Sequence, residues 1–95
     1  MKTLFENTSI SFTKRFAKLY INNIFIQKFK LDSVYHSIDM WECFTYENEL
    51  FDIHLYNEGE EPEICIYRIG IENGKHITLV DEENSFKINN IIETF

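Results

Sequence analysis

The dipeptide Asn73-Gly74 constrains the fold of this chain more than any other feature. It follows a run of alternating apolar and polar residues from Glu63 to Ile71. Asn-Gly favours a two-residue type I′ turn, because both central residues of that turn need a positive φ. The sequence therefore predicts an antiparallel hairpin with the cross-strand pairs Glu72/Lys75, Ile71/His76, Ile69/Thr78 and Tyr67/Val80.

A second hairpin is predicted nearer the N-terminus, between Trp41 and Tyr56. Trp41 to Tyr46 and Leu50 to Tyr56 are rich in aromatic and branched residues, and Glu47-Asn48-Glu49 separates them. A loop at Asn48-Glu49 directs one face to the core, whereas a one-residue slip would exchange the two faces. The core face then holds the pairs Tyr46/Phe51, Phe44/Ile53 and Glu42/Leu55, and the semi-polar face holds Thr45/Asp52, Cys43/His54 and Trp41/Tyr56. Together the hairpins predict a four-stranded antiparallel meander.

Helical spacing occurs near both ends of the chain. From Ser11 the apolar residues recur at helical intervals, which predicts an amphipathic helix that ends near Asn22-Asn23. Its apolar stripe would consist of Phe12, Phe16, Leu19, Tyr20 and Ile24, and its solvated face of Lys14, Arg15 and Lys18. A short C-terminal helix is predicted from Ile88, Ile91, Ile92 and Phe95. Residues 24–31 fit either a strand or an extension of the first helix.

These elements predict an α+β fold in a single domain of residues 1–95. The N-terminal amphipathic helix would pack on an antiparallel meander of four to five strands. A chain of this length buries only about 60–65% of its unfolded surface, so its core must be dense. Nine Phe, five Tyr and one Trp supply that density.

The charges are divided along the chain. Residues 1–30 contain six basic residues and one acid, whereas residues 31–95 contain fifteen acids and three basic residues. The net charge is therefore +5 in the first part and −12 in the second, or −7 in all. Such a division indicates a molecule with two electrostatic sides, one of which could meet a basic partner.

The sequence also predicts where the protein is found. Glu6 and Asn7 interrupt the start before an apolar run develops, so a signal peptide is not expected. No segment reaches the roughly 20 apolar residues that a bilayer requires. Cys43 and Cys65 lack paired spacing, which argues against a disulfide framework and favours the reducing cytoplasm.

Sites for metals, cofactors and nucleic acid have little support. His36, His54 and His76 lie in no C-x-x-C or H-x-x-x-H pattern, so no metal is expected. The three glycines form no phosphate-binding loop, so no cofactor is expected. A net charge of −7 would repel a nucleic-acid backbone, so the basic residues of the first helix are interpreted as a solvated face.

One catalytic arrangement is conceivable. Cys43, His54 and Asp52 are the residue types of a thiol nucleophile, its base and an orienting carboxylate. Cysteine is, however, often simply buried, and a hairpin lacks the helix N-terminus that lowers the pKa of many reactive thiols. We therefore do not expect an enzyme, and a small Cys/His hydrolase is the least favoured function.

The remaining signal is a combination of acidic and aromatic residues. Acidic side chains steer encounter with a basic protein, and aromatic rings supply the energetic anchors of an interface. The alternative is that the acids only keep an aromatic-rich protein soluble. The candidate partner-binding residues are Trp41, Glu47, Glu49, Asp52, Tyr56, Glu58, Glu60, Glu61 and Tyr67.

The sequence thus favours a small acidic inhibitor that acts by protein–protein interaction. The expected classes are an immunity protein that neutralises a bacterial toxin, often a nuclease, and a phage-type anti-defence protein. Either would occlude a basic surface of its partner, without direct contact to nucleic acid or membrane. The alternative is an accessory subunit or interaction domain of a larger assembly, and the oligomeric state stays open.

Overall fold

The computed structural model describes residues 4–59 and 61–95, and in these residues the chain forms nine β-strands and no α-helix. Two single 3₁₀ turns occur, at Tyr35–Ser37 and Glu82–Asn84. The predicted α+β fold is therefore wrong, because the protein is built from β-sheet. The strands are β1 (Thr8–Phe12), β2 (Phe16–Ile21), β3 (Ile24–Lys30), β4 (Ile38–Tyr46), β5 (Glu49–Asn57), β6 (Glu63–Glu72), β7 (Lys75–Thr78), β8 (Ser85–Ile88) and β9 (Asn90–Glu93).

The strands form two sheets. Sheet one has the order β3-β2-β1-β9, and its only parallel pair among the described strands is β1 with β9. Sheet two is the antiparallel series β4-β5-β6, and the far edge of β6 pairs with both β7 and β8. The chain passes from sheet two to sheet one at Asn89, between β8 and β9.

Each sheet directs one face into a shared hydrophobic core. Alternate residues along the strands are buried, as the period of two in a β-strand requires. The outer faces therefore point in opposite directions. Among the core residues with at most 1% exposure are Ile10, Phe12, Ala17, Leu19 and Ile21 of sheet one, and Ile38, Phe51, Ile53, Leu55, Ile64 and Ile66 of sheet two.

The predicted N-terminal helix is replaced by strands β1 and β2. Ala17, Leu19 and Ile21 alternate toward the core, whereas Phe16 and Tyr20 of the predicted helical stripe point away from it. Thr13 closes the intervening turn, since its side-chain oxygen accepts a hydrogen bond from the Phe16 backbone N–H at 3.1 Å. The helical spacing in the sequence arose because Phe16 and Tyr20 are apolar residues on the outward side of β2.

The predicted C-terminal helix is also wrong. Ile88 lies in β8 of sheet two, and Ile91 lies in β9 of sheet one. Both pack on the core, whereas Ile92 and Phe95 are exposed. The helical interval between these residues arises because the chain changes sheets at Asn89, not because it turns as a helix.

Three hairpins of the molecule use the same kind of turn. Their two loop residues both have positive φ, at Asn22-Asn23, Glu47-Asn48 and Asn73-Gly74. The hairpin at Asn73-Gly74 is confirmed, with Glu72/Lys75, Ile71/His76 and Ile69/Thr78 in register. The pair Tyr67/Val80 is wrong, because β7 ends at Thr78 and Tyr67 pairs with Ser85 of β8.

The β4–β5 hairpin is confirmed, but its predicted register is wrong by two residues. Its loop is Glu47-Asn48, so Trp41 pairs with His54 and Cys43 pairs with Asp52. A shift of two residues preserves the period of the strand, so every side chain keeps its predicted face.

Strand β3 of sheet one covers residues 24–30, so the open choice between strand and helix for this segment is resolved in favour of the strand.

Phe5 closes the core beside the start of β1. Its ring lies 5.0 Å from that of Phe51 and 4.9 Å from that of Phe86, both in edge-to-face contact. It also contacts the rings of Phe44 and Tyr46. Four aromatic neighbours around a side chain with 7% exposure make this residue a major packing element of sheet two.

The Phe5→Ala substitution should lower the free energy of unfolding by about 3–5 kcal/mol, because it removes a buried ring and leaves a cavity. Phe25→Ala is the matched control, since that ring is 52% exposed. The control should lose less than about 1 kcal/mol. Urea denaturation of the three proteins provides the measurement, and equal losses would contradict the packing assigned to Phe5.

The Gly74→Val substitution should lower the free energy of unfolding by about 1–2 kcal/mol, because a branched residue is strained at positive φ. Gly74 has φ of 77°, and a Cβ there would meet no atom within 4 Å. The loss would therefore report conformational strain alone. Gly74→Asn should lose less, because Asn tolerates the left-handed region. Equal thermal stability of Gly74→Val and the parent protein would exclude this turn.

Candidate partner-binding face

The outer face of sheet two carries four of the nine predicted binding residues. We call it the acidic face and define it by the outward side chains of β4, β5, β6 and the strands beside them. Its members are Asp39, Trp41, Cys43, Thr45, Leu50, Asp52, His54, Tyr56, Glu63, Cys65, Tyr67, Ile69, Ile71, His76, Thr78, Ser85 and Lys87. The structure therefore brings together Trp41, Asp52, Tyr56 and Tyr67, four of the residues chosen from sequence.

Trp41 lies at the centre of an aromatic cluster on this face. Its indole stacks on the His54 imidazole at 4.3 Å with an interplanar angle of 6°, because the two residues are cross-strand partners. The Tyr67 ring lies 5.5 Å from the indole, and the Tyr56 ring lies 5.8 Å from the imidazole. Half of Trp41 stays exposed, so the cluster presents an ordered aromatic surface to solvent.

Asp39 holds the imidazole in place from its edge. Its Oδ1 lies 2.6 Å from His54 Nε2. The ring is thus fixed by the carboxylate at its edge and by Trp41 at its face. Asp39 was missed as a site residue, although the alternation of Asp39, Trp41 and Cys43 along β4 places it on the same face.

Two of the predicted acids have partners within the protein. Thr78 Oγ1 donates a hydrogen bond to Asp52 Oδ2 at 2.5 Å, which fixes that carboxylate at the β7 side of the face. Arg68 donates to Glu49 Oε2 at 2.6 Å, so the charge of Glu49 is largely compensated. Glu47 lies beside Glu49, in the loop of the β4–β5 hairpin.

The opposite end of the face is strongly acidic. Tyr56, Glu58, Glu61 and Glu63 line an open depression of about 680 Å³. Glu63, which was not chosen from sequence, belongs to this group because it pairs with Tyr56 across β5 and β6. Glu60, which was chosen, lies outside the described residues.

The tyrosines of the face stay protonated at neutral pH. Burial raises the pKa of Tyr67 to about 12, with further contributions from Cys65 and Glu63. Burial and the neighbouring Glu58 and Asp39 also raise the pKa of Tyr56. A raised pKa favours the neutral phenol, and each hydroxyl group has an acceptor within the protein, Glu58 for Tyr56 and Cys65 for Tyr67.

The arrangement of the thiols differs from the predicted one, because Cys65 of β6, and not Cys43, is a cross-strand partner of His54. Cys43 is exposed and faces Asp52, while the near edge of His54 is occupied by Asp39. Among the described residues, no hydrogen bond joins either cysteine to the imidazole, and the Cys65 thiol donates to the Ile66 carbonyl at 3.8 Å. The predicted juxtaposition of Cys43 and His54 in one cross-strand pair is wrong because of the two-residue shift in register.

Two features are absent from residues 4–59 and 61–95. No group of three or more His, Cys, Asp or Glu side chains is arranged to hold a metal ion. In the same residues, no helix has the length and apolar character needed to cross a membrane.

The chain matches no protein-family model, no curated protein and no solved structure with which it was compared. The site must therefore be argued from its own geometry.

The His54→Ala substitution should shift the fluorescence emission of Trp41, the single tryptophan, to longer wavelength. The reason is that the substitution removes the ring that covers one side of the indole. His36→Ala is the control, because His36 lies against Tyr35 and Phe95 instead. An emission spectrum unchanged by His54→Ala would exclude the stacked pair.

Proposed function

We propose that this protein is a small acidic inhibitor that binds a basic protein partner through the acidic face. The partner would be a bacterial toxin, often a nuclease, that an immunity protein neutralises, or a nucleic-acid-handling defence effector that a phage-type protein blocks. The observation that carries the proposal is the half-exposed Trp41 in an ordered aromatic cluster on an acidic sheet face.

The aromatic cluster supports a role as the energetic centre of an interface. Trp and Tyr are enriched among the residues that dominate binding energies, and they act best where the surroundings exclude water. Trp41 is already held by His54 and lies beside Tyr67. The Trp41 side chain would therefore lose little conformational entropy when a partner binds the indole.

The surrounding charges support a basic partner. Carboxylates line the depression beside Tyr56 at one end of the face, and Glu47 lies at the other end. Such charges accelerate encounter with a cationic surface and disfavour acidic partners. By occupying the cationic groove that binds nucleic acid, the inhibitor would exclude the substrate of the effector.

We also propose the cytoplasm as the compartment and a non-enzymatic role. Cys43 is an exposed free thiol and Cys65 is a second free thiol, as is common under reducing conditions. The contacts of His54 with Asp39 and Trp41 use the imidazole for structure, which favours binding over catalysis.

Affinity capture from the native source tests the proposal first. The chain itself serves as one bait, and a Trp41→Ala/Tyr67→Ala variant serves as the second. We expect the unchanged chain to retain a basic protein that the Trp41→Ala/Tyr67→Ala variant does not retain. Retention of the same protein by both baits would move the interface away from this face.

With the captured partner, Glu58→Lys/Glu61→Lys/Glu63→Lys should slow association by about tenfold or more at low salt, because exposed charges steer encounter. The control, Glu72→Lys/Glu82→Lys/Glu83→Lys, makes the same change in net charge outside the depression around Tyr56. Trp41→Ala should instead accelerate dissociation by about tenfold or more, as expected for an anchor. Stopped-flow or surface-binding kinetics would separate these effects.

Association that is indifferent to salt and equal in both triple variants would refute the proposed use of the acidic residues. They would then serve as a solvated surface.

A further inference from the structure

The outer face of sheet one has the opposite electrostatic character. We call it the basic face and define it by the outward side chains of β1, β2 and β3 together with the β1–β2 turn. Its members are Ser9, Ser11, Lys14, Arg15, Phe16, Lys18, Tyr20, Phe25, Lys28 and Lys30. The basic first part of the sequence therefore forms β1, β2 and β3 of sheet one, whereas most strands of the acidic part form sheet two.

The two faces are electrostatically separate at physiological salt. They lie on opposite sides of the shared core, in a molecule whose smallest extent is 21 Å. Exposed charges are screened over about 8 Å under these conditions. A ligand on the basic face would therefore respond to its local positive charge and only weakly to the net charge of −7.

The basic face contains an uncompensated pair of like charges. Lys18 and Lys28 are direct cross-strand partners in β2 and β3. Like charges at such positions destabilise a sheet. None of the basic residues from Lys14 to Lys30 forms an ion pair with a described residue. An anionic ligand would relieve this repulsion.

Aromatic rings flank the lysine pair. Lys28 Nζ lies 4.4 Å from the centroid of the Phe16 ring on one side. On the other side, Tyr20 and Phe25 are cross-strand partners with their rings 5.8 Å apart, and Phe25 is 52% exposed. Along β2 the outward residues Phe16, Lys18 and Tyr20 follow one another at intervals of about 7 Å. Aromatic rings and lysine side chains therefore alternate on the outer surface of β2 and β3.

We propose that the basic face binds single-stranded nucleic acid. The phosphates would lie against Lys18, Lys28 and Lys30, and unstacked bases would pack on Phe25 and Tyr20, as in other sheet surfaces that combine cations with rings. The proposal goes beyond the proposed inhibitor function and does not depend on it. The repulsion expected from the net charge of −7 does not extend to the basic face, because the acids of sheet two lie on the other side of the core.

The test uses the complete protein and a labelled oligothymidylate, with fluorescence anisotropy as the readout. Binding should weaken as salt is raised from about 50 to 200 mM, with a log–log slope no steeper than about −3.5, because at most five basic residues contact phosphate. A duplex of the same length should bind more weakly, since its bases are not available for stacking.

Two variants distinguish the face from general electrostatics. Phe25→Ala should lower the affinity by about fivefold or more through loss of stacking, while Trp41→Ala on the other face should leave it unchanged. Lys18→Gln/Lys28→Gln should lower the affinity and reduce the slope by about 1.4. The control Lys75→Gln/Lys87→Gln makes the same charge change in sheet two and should have no effect.

Several results would overturn the proposal. The oligonucleotide could fail to bind at low salt, the duplex could bind as tightly as the single strand, or the control variants could lose as much affinity as the variants of the basic face. Each of these three results would be sufficient. Salt-sensitive self-association without oligonucleotide binding would show instead that the acidic face of a second copy occupies the basic face. Circular dichroism of each variant would establish that the fold is retained.

Discussion

The alternation of side chains across the strands, set by three two-residue turns, is the constraint on which the rest of the structure depends, and it is interrupted where the register of β2 with β3 shifts between Leu19 and Tyr20. Each turn has positive φ at both loop residues, so each hairpin returns directly. A slip of one residue would bury Lys18 and expose Leu19, or bury His54 and expose Ile53. The shared core, the acidic face and the basic face all follow from the same register.

The sequence was most informative where polar and apolar residues alternate clearly. The meander of β4 to β7 and the acidic, aromatic outer face were predictable because Asn73-Gly74 and the runs before it follow strand rules. The position of the β4–β5 loop at Glu47-Asn48 was not predictable, because Glu is an uncommon residue at positive φ. The face assignment survived that error because the shift was even.

Sheet one was missed because its outward face carries aromatic residues. Phe16, Tyr20 and Phe25 point outward between the strands' lysines, so apolar residues occur on both faces and hide the period of two. Likewise, the clustering of Asp39 with His54 depended on the register, which no short-range pattern specifies.

The parallel pairing of β1 with β9 governs how the molecule can be assembled. Thr94 donates two hydrogen bonds to the Phe12 carbonyl, across a sequence separation of 82 residues. The hairpins can form locally, but this contact has high contact order and must await the last strand. During synthesis on the ribosome, β1 therefore presents an open edge until β9 has emerged. That edge is where premature association between chains would begin.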